Sequence, residues 1–272
     1  MIEQIESLSI RLLASMIFLA SAVAVAPARA GSPAIVTRHD TDPAAHRALA
    51  DRFPSLVHLN LPDGEAVLIE PSWVLTAAHV GVEVQPGHTL TVAGRDVEAA
   101  AVFIHPAWDD GPHDLALIRL AEPVAHVEPI RPYRERDEVG QVIYVVGAGH
   151  GGTGLSGPDG IPGELRAATN RVDEASEHWL KFRFDDPRDA DSAATELEGV
   201  SGPGDSGGPA YVERGGIQYV AGISSGQGTW ATGGREGVYG VTEFYTRVSS
   251  YYEWIRETLD GDGDLASAAD ER

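Results

Sequence analysis

The chain has 272 residues, with 41 acidic side chains against 20 basic ones for a formal net charge of −21, and no cysteine. That balance argues against a nucleic-acid partner, because an acidic surface repels a phosphate backbone. The missing cysteines exclude disulfides, thiol nucleophiles and cysteine-ligated zinc, so stability rests on the hydrophobic core. Roughly 240 residues beyond a leader suffice for that, since a chain of this size buries about 70–75% of the surface its unfolded form exposes.

Residues 12–26 form an apolar run too short to span a bilayer, followed by Ala28, Arg29 and Ala30 in the small-residue pattern of a signal-peptidase site. Residues 1–30 are expected to be a signal peptide, although Glu3 and Glu6 outnumber Arg11 ahead of the apolar run. The protein is expected to be secreted or periplasmic, with no stable membrane association. Short apolar stretches follow at 55–60, 66–69, 89–93, 115–118, 141–146 and 218–223, separated by Gly, Pro and Asp clusters. Such spacing predicts an all-β sandwich or barrel. Only 248–259 carries a helical pattern.

Two acidic stretches invite a cation. Asp185, Asp186, Asp189 and Asp191 are dense in oxygens, but composition favours a solvated loop. Asp260, Asp262 and Asp264 alternate with glycine like the opening of a calcium loop, with Glu271 at the twelfth position. Leu265 then occupies the sixth, where the sharp turn needs glycine, and the frame that puts Gly263 there leaves Thr258 first and Ala269 last. Residues 260–272 therefore read as an acidic tail, and no cofactor or metal is expected.

Three motifs carry chemistry: Thr76-Ala77-Ala78-His79, Asp114-Leu115-Ala116-Leu117 and Gly204-Asp205-Ser206-Gly207-Gly208-Pro209. A serine hydroxyl is a poor nucleophile until an imidazole takes its proton, and a carboxylate must hold that imidazole in the right tautomer. Singly, each motif has an ordinary reading: a tight turn, one of ten histidines, a charge at a strand edge. Their order decides between families. Gly204-Asp205-Ser206-Gly207-Gly208 also fits the nucleophile elbow of α/β-hydrolases, whose histidine follows the serine, yet no histidine lies beyond His178. A subtilisin-like order would need its aspartate before His79, and Asp63 has no supporting motif.

The order His79, Asp114, Ser206, together with Trp73-Val74-Leu75, His105-Pro106 and Ile118-Arg119-Leu120, resembles the chymotrypsin/trypsin-like serine protease family. The likeness extends over about residues 35–259, through Ile35-Val36, Val146-Gly147-Ala148-Gly149, the strand Glu243-Phe244-Tyr245-Thr246-Arg247-Val248 and Trp254-Ile255. It departs at Thr37-Arg38, where paired glycines are expected, and in a long segment from Gly226 to Thr242. The resemblance implies two antiparallel six-stranded β-barrels with a short C-terminal helix, one over 35–130 carrying His79 and Asp114, the other over 131–259 carrying Ser206. It implies a serine endopeptidase acting on polypeptides as a monomer. Gly204 and Ser206 would supply oxyanion amides, and removal of a propeptide at 31–34 would free an Ile35 amine to pair with Asp205. In the specificity pocket it places Val200 at the floor and Glu243 at the back, which leaves open a small or aliphatic preference against a basic one. A non-catalytic homologue acting as a binding module, and a single-substrate processing protease or esterase, are the alternative functions.

Overall fold

The computed structural model describes residues 35–159 and 163–270, with side chains as far as 261; the expected signal peptide and propeptide lie outside the described residues. In the first half, Leu56–Leu61, Gly64–Glu70, Thr89–Val92 and Ala116–Leu120 fall on the apolar stretches, while Arg95–Ile104 and Trp73–Thr76 lie outside them. Gly64–Glu70 is buried at six successive positions and Trp73–Thr76 at all four, so these strands face apolar neighbours on both sides and do not alternate. Six strands close on themselves in the order Leu56–Leu61, Gly64–Glu70, Trp73–Thr76, Ala116–Leu120, Arg95–Ile104, Thr89–Val92. Leu59, Val67, Leu75, Leu90 and Leu117, all fully buried, fill the interior.

The second half forms a half-barrel. Its strands run Arg166–Arg171, Val142–Gly147, Pro209–Arg214, Ile217–Gly228, Thr242–Arg247, Trp179–Arg183, Glu174–Ala175, and Arg131–Pro132 pairs with Ile217–Gly228. The end strands do not hydrogen-bond each other, so this sheet stays open where the first closes. A separate small sheet pairs Val36 with Val200 and with Gly152. All described residues fall in one compact unit. The first core reaches across to Tyr211, Ile223 and Ile255, so the two halves share buried surface.

Two helical features differ from the sequence-based expectation. Pro43–Ala50 is a helix that begins with Asp42 accepting a hydrogen bond from the Ala44 amide (2.8 Å) and has proline at its start. It escaped the apolar pattern because His46 and Ala50 alone are buried. The C-terminal helix starts at Tyr252 and continues to Asp270, past the predicted end at 259 and into the expected acidic tail. Gly261 and Gly263 weaken a helix without ending it, and Arg256 bonds Asp260 one turn on (3.0 Å).

Candidate active site

His79 sits in the short helical turn Ala78–Gly81 that follows Trp73–Thr76, and Asp114 lies just before Ala116–Leu120, the neighbouring barrel strand. Pairing of those two strands is what brings residues 35 positions apart together. His79 Nδ1 lies 2.7 Å from Asp114 Oδ2, and the His79 amide donates to Asp114 Oδ1 (2.9 Å). Ser225 donates its hydroxyl to Oδ2 as well (2.5 Å), and Thr246 donates to the Asp114 carbonyl (2.8 Å). Asp114 is 3% exposed. Burial pushes its carboxyl up, but the His79 bond and charge, with the Ser225 hydroxyl and the His79 amide, outweigh that and hold it below the usual carboxylate range. The preceding residue, His113, holds φ at 73° and stacks on His105 with ring centroids 5.1 Å apart. Strained backbone of that kind persists where surrounding packing over-determines it.

The Ser206 loop is pinned beside the chain that leads into the His79 turn. The Gly207 amide donates to the Ser224 carbonyl (2.9 Å), and the Glu65 amide donates to the Ser206 carbonyl (2.8 Å). Gly207 has φ +77°, and a Cβ there would collide with Thr76 Oγ1 and the Glu65 carbonyl, so only glycine lets the loop approach the His79 turn this closely. Ser206 Oγ has no hydrogen-bond partner among the described residues, so the serine–histidine bond is not made in this structure. Catalytic bonds in unliganded sites are often unformed and tighten with substrate.

Between the amides of Gly204 and Ser206, the Asp205 amide is tied to the Gly202 carbonyl (3.0 Å). Its neighbours on either side donate to no acceptor among the described residues. Gly204 holds φ +98°, and a Cβ there would come 2.9 Å from Gly149 Cα. The Asp205 carboxylate turns inward, 1% exposed, and accepts from the amides of Gly149 (2.7 Å) and Gly202 (2.8 Å). The Ile35 backbone amide also bonds it. Ile35 is fully buried with φ 56°, a strained value for a β-branched residue that costs on the order of 1–3 kcal/mol.

The two candidate specificity residues are both fully buried. Val200 belongs to the second core and pairs with Val36. Glu243 accepts from Ser201 Oγ (2.8 Å) and Gln227 Nε2 (2.5 Å), and burial pushes its carboxyl up to about 8 against those bonds. Sequence reasoning passed over Ser225, Gln227 and Glu65. For Glu65 a signal existed: it is a charge inside the apolar run Gly64–Ile69. Its Oε1 accepts from the Ala148 amide (2.7 Å) and lies 3.4 Å from His58 Nδ1.

A cleft of about 400 Å³ opens beside Gly204, Gly149, Glu65 and His58. A larger one, about 1070 Å³, is walled by Trp73, Tyr133, Arg131 and Tyr252 and includes none of His79, Asp114 and Ser206. In the acidic loop, Asp186 is paired with Arg188 (2.5 Å). Among the described residues no group of three or more His, Asp or Glu is arranged to hold a metal ion, and no helix is long and apolar enough to cross a membrane.

Complement C1s subcomponent of Sus scrofa is 32% identical to this chain over 248 residues, which is 77% of the chain and 34% of that protein. CLIP domain-containing serine protease B10 of Anopheles gambiae is 29% identical over 167 residues, 58% of this chain and 44% of that one. The chain thus spans about a third of the complement relative's length. Neuropsin, a serine protease expressed in the limbic system of mouse brain, has the same fold, with a TM-score of 0.60 at 20% identity over 79% of this chain and 98% of that one. The trypsin family profile matches residues 44–255, most of both β-rich halves, and on that match the chain belongs to the trypsin family of serine proteases.

Proposed function

We propose that this chain is a secreted serine endopeptidase in which His79, Asp114 and Ser206 form the triad. The observation that carries the reading is the buried Asp114 carboxylate bonded to His79 Nδ1 at 2.7 Å. That bond fixes the tautomer with Nε2 free to accept a proton, which is what activating a serine requires. As Ser206 attacks a peptide carbonyl, His79 takes the hydroxyl proton and Asp114 stabilises the imidazolium. The amides of Gly204 and Ser206 receive the oxyanion, and His79 returns the proton to the leaving amine. Water then repeats the sequence on the acyl-enzyme.

Cutting the chain before Ile35 converts its amide into an ammonium beside Asp205 and removes the strained φ, because a first residue has no preceding carbonyl. Processing at Ala34–Ile35, with the leader at 1–30 removed on export, is therefore part of this reading. For substrate preference, Val200 and a Glu243 held near 8 favour small or aliphatic side chains at neutral pH, since a neutral carboxyl gives a buried cation no counter-charge. A peptide-library profile dominated by cleavage after Arg or Lys, and collapsing in Glu243→Gln, overturns that preference.

The decisive experiment replaces Ser206 with alanine. The variant is expected to fold and to retain only the roughly 10³–10⁴-fold acceleration over water that oxyanion binding and positioning supply. A serine-directed phosphonylating probe should label Ser206 in the wild type alone. Unchanged hydrolysis in the variant would remove Ser206 as the nucleophile, whereas a wild type that neither hydrolyses peptides nor takes the label would favour the non-catalytic binding module.

A further inference from the structure

Asp205 does not sit alone in its cavity. Glu65, 3% exposed, is its neighbour, and Glu65 Oε2 is the buried side-chain polar atom that has no hydrogen-bond partner among the described residues. The two carboxylates converge on one point: a Cβ built on Gly147 would collide with Asp205 Oδ1 and stand 3.0 Å from Glu65 Oε2. Each acid holds a different part of the oxyanion loops, Glu65 through the Ala148 amide and Asp205 through the Gly149 and Gly202 amides. No lysine or arginine bonds either carboxylate among the described residues. The other titratable groups facing the pair are His58 from Leu56–Leu61, Tyr211 from Pro209–Arg214, and Glu243 and Tyr245 from Thr242–Arg247. Of these, only His58 is able to carry a positive charge.

Against two buried carboxylates with one unbonded oxygen stands only His58, which meets Glu65 Oε1 at 3.4 Å and is raised by that bond, so at most one of the two negative charges is offset. The remaining like charge forces a proton onto the pair; burial and repulsion from Glu65 push Asp205 well above the usual carboxylate range, and burial raises Glu65 against the lowering pull of His58. Resting on the Ile35–Asp205 reading above, we propose that Glu65 and Asp205 together form a two-carboxylate seat for the Ile35 ammonium, making Glu65 a second positioning residue for the loop that carries Ser206. In the uncut chain the pair keeps one proton. When Ile35 becomes a free ammonium it displaces that proton, and both carboxylates are then ionised around it. Glu65 thereby holds the amine protonated to higher pH than Asp205 does by itself.

The test uses the full chain with an enteropeptidase recognition sequence placed directly ahead of Ile35, assayed after cutting. In wild type, kcat/KM falls at alkaline pH as the Ile35 ammonium loses its proton. Glu65→Gln keeps an acceptor for the Ala148 amide but removes the charge, and is expected to move that alkaline limb down by about one pH unit. A purely structural role for Glu65 scales activity at every pH and leaves the limb in place, and that result overturns the proposal. Carbon-13 NMR of the Glu65 carboxyl in the cut wild type at pH 7 needs no variant: an ionised carboxylate supports the two-carboxylate seat, a protonated one overturns it. Asp205→Asn separates the two readings, because wild-type activity and an unmoved limb in that variant would refute the Ile35–Asp205 pairing itself.

Discussion

Asp114 shows how much of the proposed catalytic geometry rests on residues that carry no motif. Its Oδ2 accepts from both His79 Nδ1 and Ser225 Oγ, and the serine comes from a strand more than a hundred residues away. Ser225→Ala removes one donor to a buried charge and leaves His79 as the main restraint on that oxygen. A hydrogen bond to a charged group contributes about 1.5–3 kcal/mol, so the thermal midpoint should fall by several degrees, and kcat/KM should drop roughly tenfold or more as Asp114 loses part of its hold on the His79 imidazole. Steady-state kinetics on a peptide ester checks this, and activity equal to wild type removes Ser225 from the site. The residues of the proposed triad stand out in the sequence because hydroxyl, imidazole and carboxylate chemistry restricts which side chains serve. Ser225 and Gln227 do not, since a Ser-Ser-Gly-Gln-Gly run reads equally well as a turn.

Among the elements, the closing strand Thr242–Arg247 is fastened to the segment between Arg131–Pro132 and Val142–Gly147 by a buried ion pair. Arg247 bonds Glu138 through Nη2 (2.6 Å) and Nε (3.1 Å), and Ser249 donates to the same carboxylate (2.6 Å); Glu138 is fully buried. Removing one partner strands a charge without solvent. Glu138→Ala should therefore destabilise by about 3–5 kcal/mol, whereas replacing both partners with apolar residues of similar volume should cost far less. Urea denaturation of the single and double variants decides it; a Glu138→Ala loss below 1 kcal/mol would mean that water reaches the pair. Arg247 was visible in the sequence as part of a closing strand, but its partner lies 109 positions earlier, and only packing selects which acid it meets.

For the whole molecule, the buried acids set how stability varies with pH. Glu243 is raised to about 8 and Glu198 to about 7, in both cases chiefly by burial. A carboxyl whose folded pKa exceeds its unfolded value keeps a proton that the unfolded chain has released. Its contribution is fully present below about pH 4.3 and is lost as pH rises toward the folded value. His46 and Asp114 work the other way. Burial lowers His46, whose contribution fades as pH falls below about 6.5, and Asp114, held low, loses its share only in more acid solution. Stability should thus decline from pH 5 to pH 8, and Glu243→Gln, neutral throughout, should reduce that decline by an amount on the order of a few kcal/mol. Chemical denaturation at both pH values measures it, and an identical decline in the variant shows that Glu243 does not titrate across the window.

Local information marked six of the strands, at 55–60, 66–69, 89–93, 115–118, 141–146 and 218–223, and the three motifs of the proposed site. Each depends on properties a short stretch carries by itself: the run of apolar residues at 66–69, the glycines that free the backbone around Ser206, the proton chemistry of His79. What the tertiary structure decided was company. Closure of the first sheet and the open edge of the second follow from how strand ends meet. The short sheet that joins Val36 to Val200 is what sets Ile35 beside Asp205, and the barrel strand Gly64–Glu70 brings Glu65 against that carboxylate. A carboxylate in an apolar strand announces itself in the sequence, but whether it meets a cation, a proton or another acid depends on residues far along the chain, and on burial that makes the choice cost several kcal/mol.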